Sequence, residues 1–463
     1  MRIRDGGHVT SLSHLLGLKR DITTGIRGRG VTTGIRRPAA RRPPSGTLVA
    51  SSVAAVIRTR TRACALAAGL VFLVGCGSSA GDDPGPPIET TTPAPEGDER
   101  GEVVSSEPVT DIDPAVAATG ATVTRVTYRT TSGIDGSGVD VVATVFAPAG
   151  PAPEGGFPVV TVGHGTTGVE DECAPSLSPT LMGTTSMVTP LLERGWVAVV
   201  SDYQGLGTPG PHPYLDADSA GYDLVDAVRA AREVVPETST RWAAIGGSQG
   251  GQASWAAAEL AAEYGDGLDL VGAANLSPAA DLSPILRDAV GVDDGGTLPL
   301  TWPQTLLMPF VLDGVAAVDQ EFDESRYVRG VVAENPDVTR SCVTDRIDEK
   351  LRLASQIRPT DIGPQTTRDA EELYEHLADA ALPRRGAGAP MFVAVGGADN
   401  VIDAAWTRDA VLRACALGDT IEYVYSPEQG HSDPNATASA VEWVGARFAG
   451  EPPPNSCGAD LLP

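Results

Sequence analysis

Beyond residue 104, short apolar runs alternate with longer segments of helical spacing. Two runs with strand character, 122–128 and 139–148, are separated by a turn rich in Gly, Ser and Asp, which predicts an antiparallel pair. Further apolar runs and amphipathic or Ala-rich segments follow in chain order: strands 157–162 and 196–201, helix 220–235, strand 242–246, helix 250–264 and strand 268–276. This alternation predicts an α/β fold with a mostly parallel central sheet and helices on both faces.

The alternation stops after the strand at 268–276 and resumes with strand 390–396, helix 404–417, strand 420–425 and helix 435–448. The intervening residues, about 280–386, predict a mostly helical insertion. Residues 105–463 are therefore expected to form one domain that carries the insertion as a helical lid.

The N-terminal residues differ from the rest of the chain in charge. Residues 1–75 contain 13 Lys or Arg and 2 acidic residues, whereas the remainder contains 21 basic and 58 acidic residues. Arginines precede an apolar stretch at 63–75 that ends in Leu73-Val74-Gly75-Cys76, the order found in export signals. The last four residues resemble the bacterial lipobox, so we expect 1–76 to be a leader with lipidation at Cys76. An ordinary secretory signal with an incidental Cys is the alternative. The first 52 residues are too long for the charged region of a signal, which predicts a translation start near Val53 or Val56.

Residues 77–104 contain mostly Gly, Ser, Asp, Pro, Thr and Glu and few large apolar side chains. Such a segment buries too little surface to offset the entropy of ordering, so we expect a disordered tether.

The overall composition excludes two classes of protein. Hydrophobic residues make up 41% of the chain and the net charge is −26. An acidic surface repels phosphate backbones, which argues against a nucleic-acid partner. The chain has no unbroken apolar run near the ~20 residues of a spanning helix, which argues against a polytopic membrane protein. We expect a monomer that touches a membrane only through a lipid anchor.

Four of the six cysteines lie beyond the leader: Cys173, Cys342, Cys415 and Cys457. An even number in an exported protein suggests two disulfides, for which three pairings are possible. No Cys or His spacing indicates a metal site.

The candidate nucleophile is Ser248, in the sequence Gly246-Gly247-Ser248-Gln249-Gly250 between a predicted strand and a predicted helix. A Gly-x-Ser-x-Gly motif in that context is the nucleophile elbow, in which a sharp turn exposes the serine hydroxyl above the sheet.

Such a serine needs a general base and an acid that orients it. His376 lies in an acidic helical segment and is expected to be a solvated surface residue, whereas His431 follows one of the last strands in a loop, where the base belongs. Asp399 follows the strand at 390–396 and is the preferred acid. Asp403 is the alternative, although it can instead cap the next helix.

An oxyanion hole needs two backbone N–H groups, one from the residue after the nucleophile and one from an early strand's loop. These residues are Gln249 and Thr166, with Thr167 as the alternative to Thr166. His164, in the same loop, is expected to shape the loop rather than act as a second base.

Several segments resemble the secretory lipase family of α/β-hydrolases. They are His164-Gly165-Thr166-Thr167-Gly168, Cys173-Ala174-Pro175-Ser176, Asp202-Tyr203-Gln204-Gly205-Leu206-Gly207-Thr208-Pro209-Gly210, His212-Pro213-Tyr214 and the elbow itself. The resemblance implies a secreted serine esterase with a helical lid and two disulfides. With it we expect the pairs Cys173–Cys342 and Cys415–Cys457.

These features predict a cofactor-free ester hydrolase, a lipase that cleaves acylglycerols or related carboxylic esters through an acyl-enzyme. The apolar stretch 298–318 is expected to contribute side chains to the acyl site. A serine peptidase of the same fold and a small-ester esterase are alternatives. A non-catalytic lipoprotein that binds a ligand would need a broken set of catalytic residues, and the set is intact.

Overall fold

The computed structural model describes residues 99–287 and 297–462. The predicted leader, Cys76 and most of the predicted tether lie outside these residues. The strands are β1 (Val103–Pro108), β2 (Thr122–Thr131), β3 (Gly138–Ala147), β4 (Phe157–Gly163), β5 (Val197–Ser201), β6 (Thr238–Gly247), β7 (Asp269–Leu276), β8 (Met391–Gly396) and β9 (Ile421–Ser426).

The α-helices pack around the sheet or belong to the insertion. They are α1 (Pro114–Ala118), α2 (Thr185–Glu193), α3 (Ala217–Val234), α4 (Gln249–Tyr264), α5 (Trp302–Val318), α6 (Gly330–Ala333), α7 (Pro336–Thr339), α8 (Ile347–Ala354), α9 (Thr367–Asp379), α10 (Ala404–Leu417) and α11 (Pro434–Phe448). Within the described ranges, no helix has the length and apolar character needed to cross a bilayer.

In the described part of the chain, the strands form one sheet in the order β1-β2-β3-β5-β4-β6-β7-β8-β9. The pairs β1–β2, β2–β3 and β3–β5 are antiparallel. The remaining pairs, β5–β4, β4–β6, β6–β7, β7–β8 and β8–β9, are parallel. The predicted antiparallel pair and parallel sheet are confirmed. Because parallel strands end at one edge, the loops after β4, β6 and β8 lie together.

Two apolar layers cover the faces of this sheet. Leu224 of α3, Trp255 of α4 and Val411 of α10 pack on one face. Val188 of α2 and Trp443 of α11 pack on the other. Helices on both faces bury the parallel strands, which is why most of these strands contain runs of apolar residues.

Strand β1 has no counterpart among the strands predicted from the sequence, so the domain begins earlier than expected. Gly101 donates its N–H to the carbonyl of Arg129, and β1 starts at Val103. The residues of β1 are mostly exposed, so they lack the alternation that marks a half-buried strand. Residues 99–104, which the sequence analysis assigned to the tether, belong to the fold.

The segment between β7 and β8, where the helical insertion was expected, carries α5 to α9 and has a core of its own. Phe310 and Leu312 of α5 and Leu373 of α9 are among its buried side chains. A disulfide between Cys173 and Cys342 joins it to the loop after β4.

A second disulfide joins Cys415 of α10 to Cys457 near the C-terminus. Both predicted pairings are present.

Candidate active site

Ser248 occupies a strained turn between β6 and α4. Its φ of 60° and ψ of −120° are unusual for a residue with a side chain, and such strain is found at functional sites. The turn is held from both sides: the N–H of Ser248 donates to Leu276 O at 2.8 Å, and its carbonyl accepts from Gln252 N at 3.1 Å. The geometry is that of a nucleophile elbow.

Two glycines allow the elbow to approach β4. A Cβ atom on Gly250 would lie 2.0 Å from the carbonyl oxygen of Gly163, and one on Gly246 would lie 2.1 Å from that of Gly250. Only glycine fits at either position. The N-terminus of α4 is thereby pressed against the loop that carries the second candidate oxyanion donor.

Asp399 and His431 form a hydrogen-bonded pair. The Oδ2 atom of Asp399 lies 2.8 Å from Nδ1 of His431, and the two side chains are 2% and 11% exposed. The other oxygen of Asp399 accepts from the backbone N–H groups of Val401 and Ile402 at 2.8 and 3.0 Å. A carboxylate accepts, so Nδ1 carries the proton and Nε2 is left as the basic nitrogen.

The remaining candidates for base and acid lie elsewhere. Asp403 accepts from Ala405 N and caps α10, as the alternative interpretation of that residue predicted. His376 pairs with Asp319 at 3.4 Å and packs against Phe322 in the insertion. It is therefore half-buried rather than a solvated surface residue, because the apolar side of α9 faces the insertion core.

The loop after β4 passes beside Ser248. A Cβ atom on Gly165 would lie 4.0 Å from the Cβ of Ser248. The hydroxyl of Thr166 lies 2.6 Å from that of Tyr214, and the carbonyl of Thr167 accepts from Val343 N at 2.7 Å. Thr166 and Thr167 thus both remain beside the nucleophile, each with one polar group already bonded.

His164 is buried beneath this loop. Its Nδ1 lies 2.7 Å from Gly165 O and its Nε2 lies 3.2 Å from Asp202 O. Burial lowers its pKa to about 4. Both nitrogens face backbone carbonyls rather than Ser248, so the contacts of the ring agree with its predicted role in shaping the loop.

Ser248 and His431 line one cavity of about 900 Å³, within the range of small-molecule sites. One wall comes from the insertion and its neighbours: Pro303, Leu306, Leu307, Val343 and Val401. Other lining residues come from α2, the turn before it and α11: Met182, Met187, Pro190, Ala436 and Thr437. The cavity walls are mainly apolar.

The apolar stretch of α5 divides between the cavity and the insertion core. Leu306 and Leu307 line the cavity, whereas Phe310 is buried in the core and Trp302 is 40% exposed. Some of these side chains were expected to line the site, and Leu306 and Leu307 do so.

The wall formed by Met182 and Met187 was not foreseen. Leu181 and Met182 both have positive φ, of 46° and 51°, a conformation that residues with side chains disfavour. No sequence motif in this segment predicts it. Pro190 also lies inside α2, which lowers the helical signal of that segment.

Comparison with known proteins places these features in a family. The family model described as secretory lipase matches residues 176–456, more than half of the chain. A protein of Mycobacterium tuberculosis described as a probable inactive lipase is 26% identical over 72% of this chain and 74% of its own length. A protein of Stachybotrys chartarum described as a probable trichothecene esterase is 26% identical over 58% of this chain and 54% of its own.

The fold is also that of solved lipases and esterases. Candida antarctica lipase A in its closed state matches with a TM-score of 0.61 and 19% identity over 79% of this chain and 86% of its own. The rice cell wall degrading esterase LipA from Xanthomonas oryzae matches with a TM-score of 0.59 and 21% identity over 76% of this chain and 95% of its own. The elbow, the sheet and the matched family model lead to one conclusion: the chain belongs to the secretory lipase family, with an α/β-hydrolase fold.

Proposed function

We propose that the protein is an exported serine hydrolase that cleaves carboxylic esters through an acyl-enzyme. The observation that carries the proposal is the Asp399–His431 pair, 2.8 Å between Oδ2 and Nδ1, because His431 lines the same cavity as Ser248. The strained backbone of Ser248 supports the same role. The reaction needs no cofactor in this scheme.

In the first half of the reaction, Nε2 of His431 takes the proton of the Ser248 hydroxyl as Oγ attacks the ester carbonyl. Asp399 holds the imidazole in the required tautomer and stabilises the imidazolium. The backbone N–H groups of Gln249 and Thr166 donate to the oxyanion. The C–O bond to the alcohol then breaks, and His431 returns the proton to the departing oxygen.

In the second half, His431 takes a proton from water, whose oxygen attacks the acyl carbon. The bond to Ser248 Oγ breaks, the serine recovers its proton, and a carboxylic acid leaves. In each half of the reaction the His431 imidazole accepts one proton and later donates one, so the enzyme ends in its starting state.

The decisive test is covalent labelling, because one of the related proteins is described as probably inactive. A fluorophosphonate probe should label the wild type and fail to label Ser248→Ala. Ser254→Ala is the matched control, since the Ser254 hydroxyl on α4 donates to Asn275 Oδ1 on β7 at 2.6 Å and the change should leave labelling intact. A wild type that folds but neither labels nor hydrolyses p-nitrophenyl esters would reduce the protein to a ligand-binding lipoprotein.

The cavity supports a preference for longer acyl groups, with the insertion acting as its lid. Leu306 and Leu307 add apolar wall above the edge of the sheet. Each CH₂ that a substrate buries there contributes ~0.8 kcal/mol. The value of kcat/KM should therefore be higher for p-nitrophenyl octanoate than for the acetate, and a double change of both leucines to Ala should narrow that ratio.

Two outcomes would redirect the assignment. A preference for acetate would make the protein a small-ester esterase. Efficient cleavage of peptide amides would instead favour a serine peptidase of the same fold.

Export and anchoring are part of the proposal. The two disulfides suit an oxidising compartment. We assign Cys76 as the lipidated residue on its sequence context alone, so that a lipid anchor would hold the enzyme at the cell surface.

A further inference from the structure

The motif His212-Pro213-Tyr214 has no role in the mechanism above, although it lies next to both candidate oxyanion donors. It stands in the connection between β5 and α3. His212 and Tyr214 are buried, 4% and 7% exposed. Each of the two side chains makes a hydrogen bond to a different donor residue.

His212 contacts the residue that follows the nucleophile. Its Nδ1 lies 2.7 Å from the carbonyl oxygen of Gln204, and its Nε2 lies 3.0 Å from Nε2 of Gln249. A carbonyl only accepts, so the neutral ring carries its proton on Nδ1 and Nε2 must accept from the Gln249 amide. Burial lowers the pKa of His212 to about 4, so the ring is neutral near pH 7.

Tyr214 contacts the other donor residue. Its hydroxyl lies 2.6 Å from Oγ1 of Thr166. Burial raises the pKa of Tyr214 to about 12, so the phenol stays neutral and keeps its proton for hydrogen bonding. The hydrogen bond fixes the side chain of Thr166, whose backbone N–H is the second proposed donor.

The motif is held tightly from behind. A Cβ atom on Gly205 would lie 2.5 Å from His212 N, and one on Gly314 of α5 would lie 2.3 Å from Tyr214 O. Such close backbone contacts leave the two rings little freedom to shift. A rigid segment is suited to fixing the positions of the groups it bonds.

We propose that His212 and Tyr214 form a positioning clamp for the oxyanion hole, in which one short segment holds Gln249 and Thr166 at the spacing that the tetrahedral intermediate requires. The inference rests on the proposed function. Neither side chain is catalytic, because each acts through a donor residue. The clamp should matter most in the transition state, where the oxyanion hydrogen bonds are shortest and their geometry is most demanding.

The test uses the full-length protein and variants that remove one hydrogen bond each. Tyr214→Phe deletes the hydroxyl and keeps the ring, and His212→Phe deletes both nitrogens. His212→Gln is the conservative variant, since its amide oxygen can accept from Gln249. Removing an oxyanion donor outright costs about 10² to 10³ in kcat. Displacing one should cost less, so we expect a fall in kcat of about 10-fold for Tyr214→Phe and for His212→Phe, with KM within about twofold.

Three measurements separate positioning from general damage to the fold. Titration with a fluorophosphonate counts the competent sites, so kcat is expressed per titrated site. The inhibition constant of a trifluoromethyl ketone, which forms a tetrahedral adduct with Ser248, should rise by the same factor as kcat/KM falls. His212→Gln should recover kcat to within about threefold of wild type.

Tyr264→Phe is the matched control at the opposite end of α4. Its hydroxyl also makes two hydrogen bonds, to Thr131 Oγ1 at 2.7 Å and to Asp226 Oδ2 at 2.6 Å. It should lower thermal stability and leave kcat per titrated site unchanged.

Wild-type values of kcat per titrated site in both Phe variants would overturn the clamp, as would a rise in KM with kcat intact. Failure of the proposed function looks different, because the wild type itself would then give no titratable site.

Discussion

The glycine contacts around the elbow allow a quantitative test by the change Gly250→Ala. The added Cβ atom would lie 2.0 Å from Gly163 O and 2.3 Å from its carbonyl carbon, whereas real Cβ contacts essentially never fall below 3.0 Å. The start of α4 must therefore separate from β4 by about 1 Å, judged from the difference between the two distances. Both clashing partners are backbone, so no side-chain rotation relieves the overlap.

Overpacking of this kind costs ~3 kcal/mol at the upper end of the usual range. Unfolding entropy is about 2.1 cal/mol/K per residue, so in a domain of roughly 360 residues such a cost lowers the melting temperature by about 4 °C. The same shift moves Ser248 relative to the loop of Thr166, and a misplacement of about 1 Å can cost 10²-fold in rate. We expect Gly250→Ala to show both losses, in a thermal melt by circular dichroism and in kcat/KM for p-nitrophenyl octanoate.

The neighbouring change Gly247→Ala supplies the comparison. A Cβ atom there would lie 3.8 Å from Leu276 O and 3.9 Å from Leu276 Cβ, which is ordinary contact. Its melting temperature should stay near that of the wild type. If Gly250→Ala has the same melting temperature as Gly247→Ala and keeps full activity, the close packing of α4 on β4 is not what positions the nucleophile.

Three further changes test the acid, the second disulfide and the leader. Asp399→Asn should lower kcat by up to ~10⁴ because the amide favours the wrong imidazole tautomer, whereas Asp403→Asn keeps a good helix cap and should leave kcat intact; equal losses would withdraw the assignment of Asp399. Replacing Cys415 and Cys457 by Ser opens a loop with a sequence separation of 42 and should cost ~4 kcal/mol in denaturant unfolding, an effect that a loss below ~1 kcal/mol would contradict. Lipidation predicts that Cys76→Ala moves the protein from the detergent phase into the medium, and an unchanged partition would refute it.

The elements that the sequence analysis found and missed differ in their local signal. Strands β4, β5 and β8 are buried along nearly all of their length, and their apolar runs are visible without any knowledge of neighbours. Strand β1 is exposed along most of its length and exists only because β2 offers a partner. Helix α2 contains Pro190 and is retained because Val188 and Leu191 pack on the sheet. Tertiary contacts supply the stability that their own residues lack.

The candidate catalytic residues were accessible for a related reason. Ser248 lies in a motif whose glycines are required because a Cβ atom would clash with neighbouring backbone. Asp399 and His431 each follow a recognisable strand. Parallel strands end at one edge, so a correct topology brings these three residues together whatever the intervening sequence is. Asp399 is preferred to Asp403 from the sequence because it lies closer to the end of its strand, and in the structure Asp399 bonds His431 whereas Asp403 caps α10.

The sequence by itself determined the fold class, the nucleophile elbow and the order of the candidate triad, because each depends on patterns within a few residues. The tertiary structure alone decided which side chains wall the cavity and that His212 and Tyr214 reach Gln249 and Thr166. The bonded residues in these two pairs are 37 and 48 positions apart in the chain. Contacts at such separations are set by how whole elements pack, and the polar side chains that make them carry no periodic signal of their own.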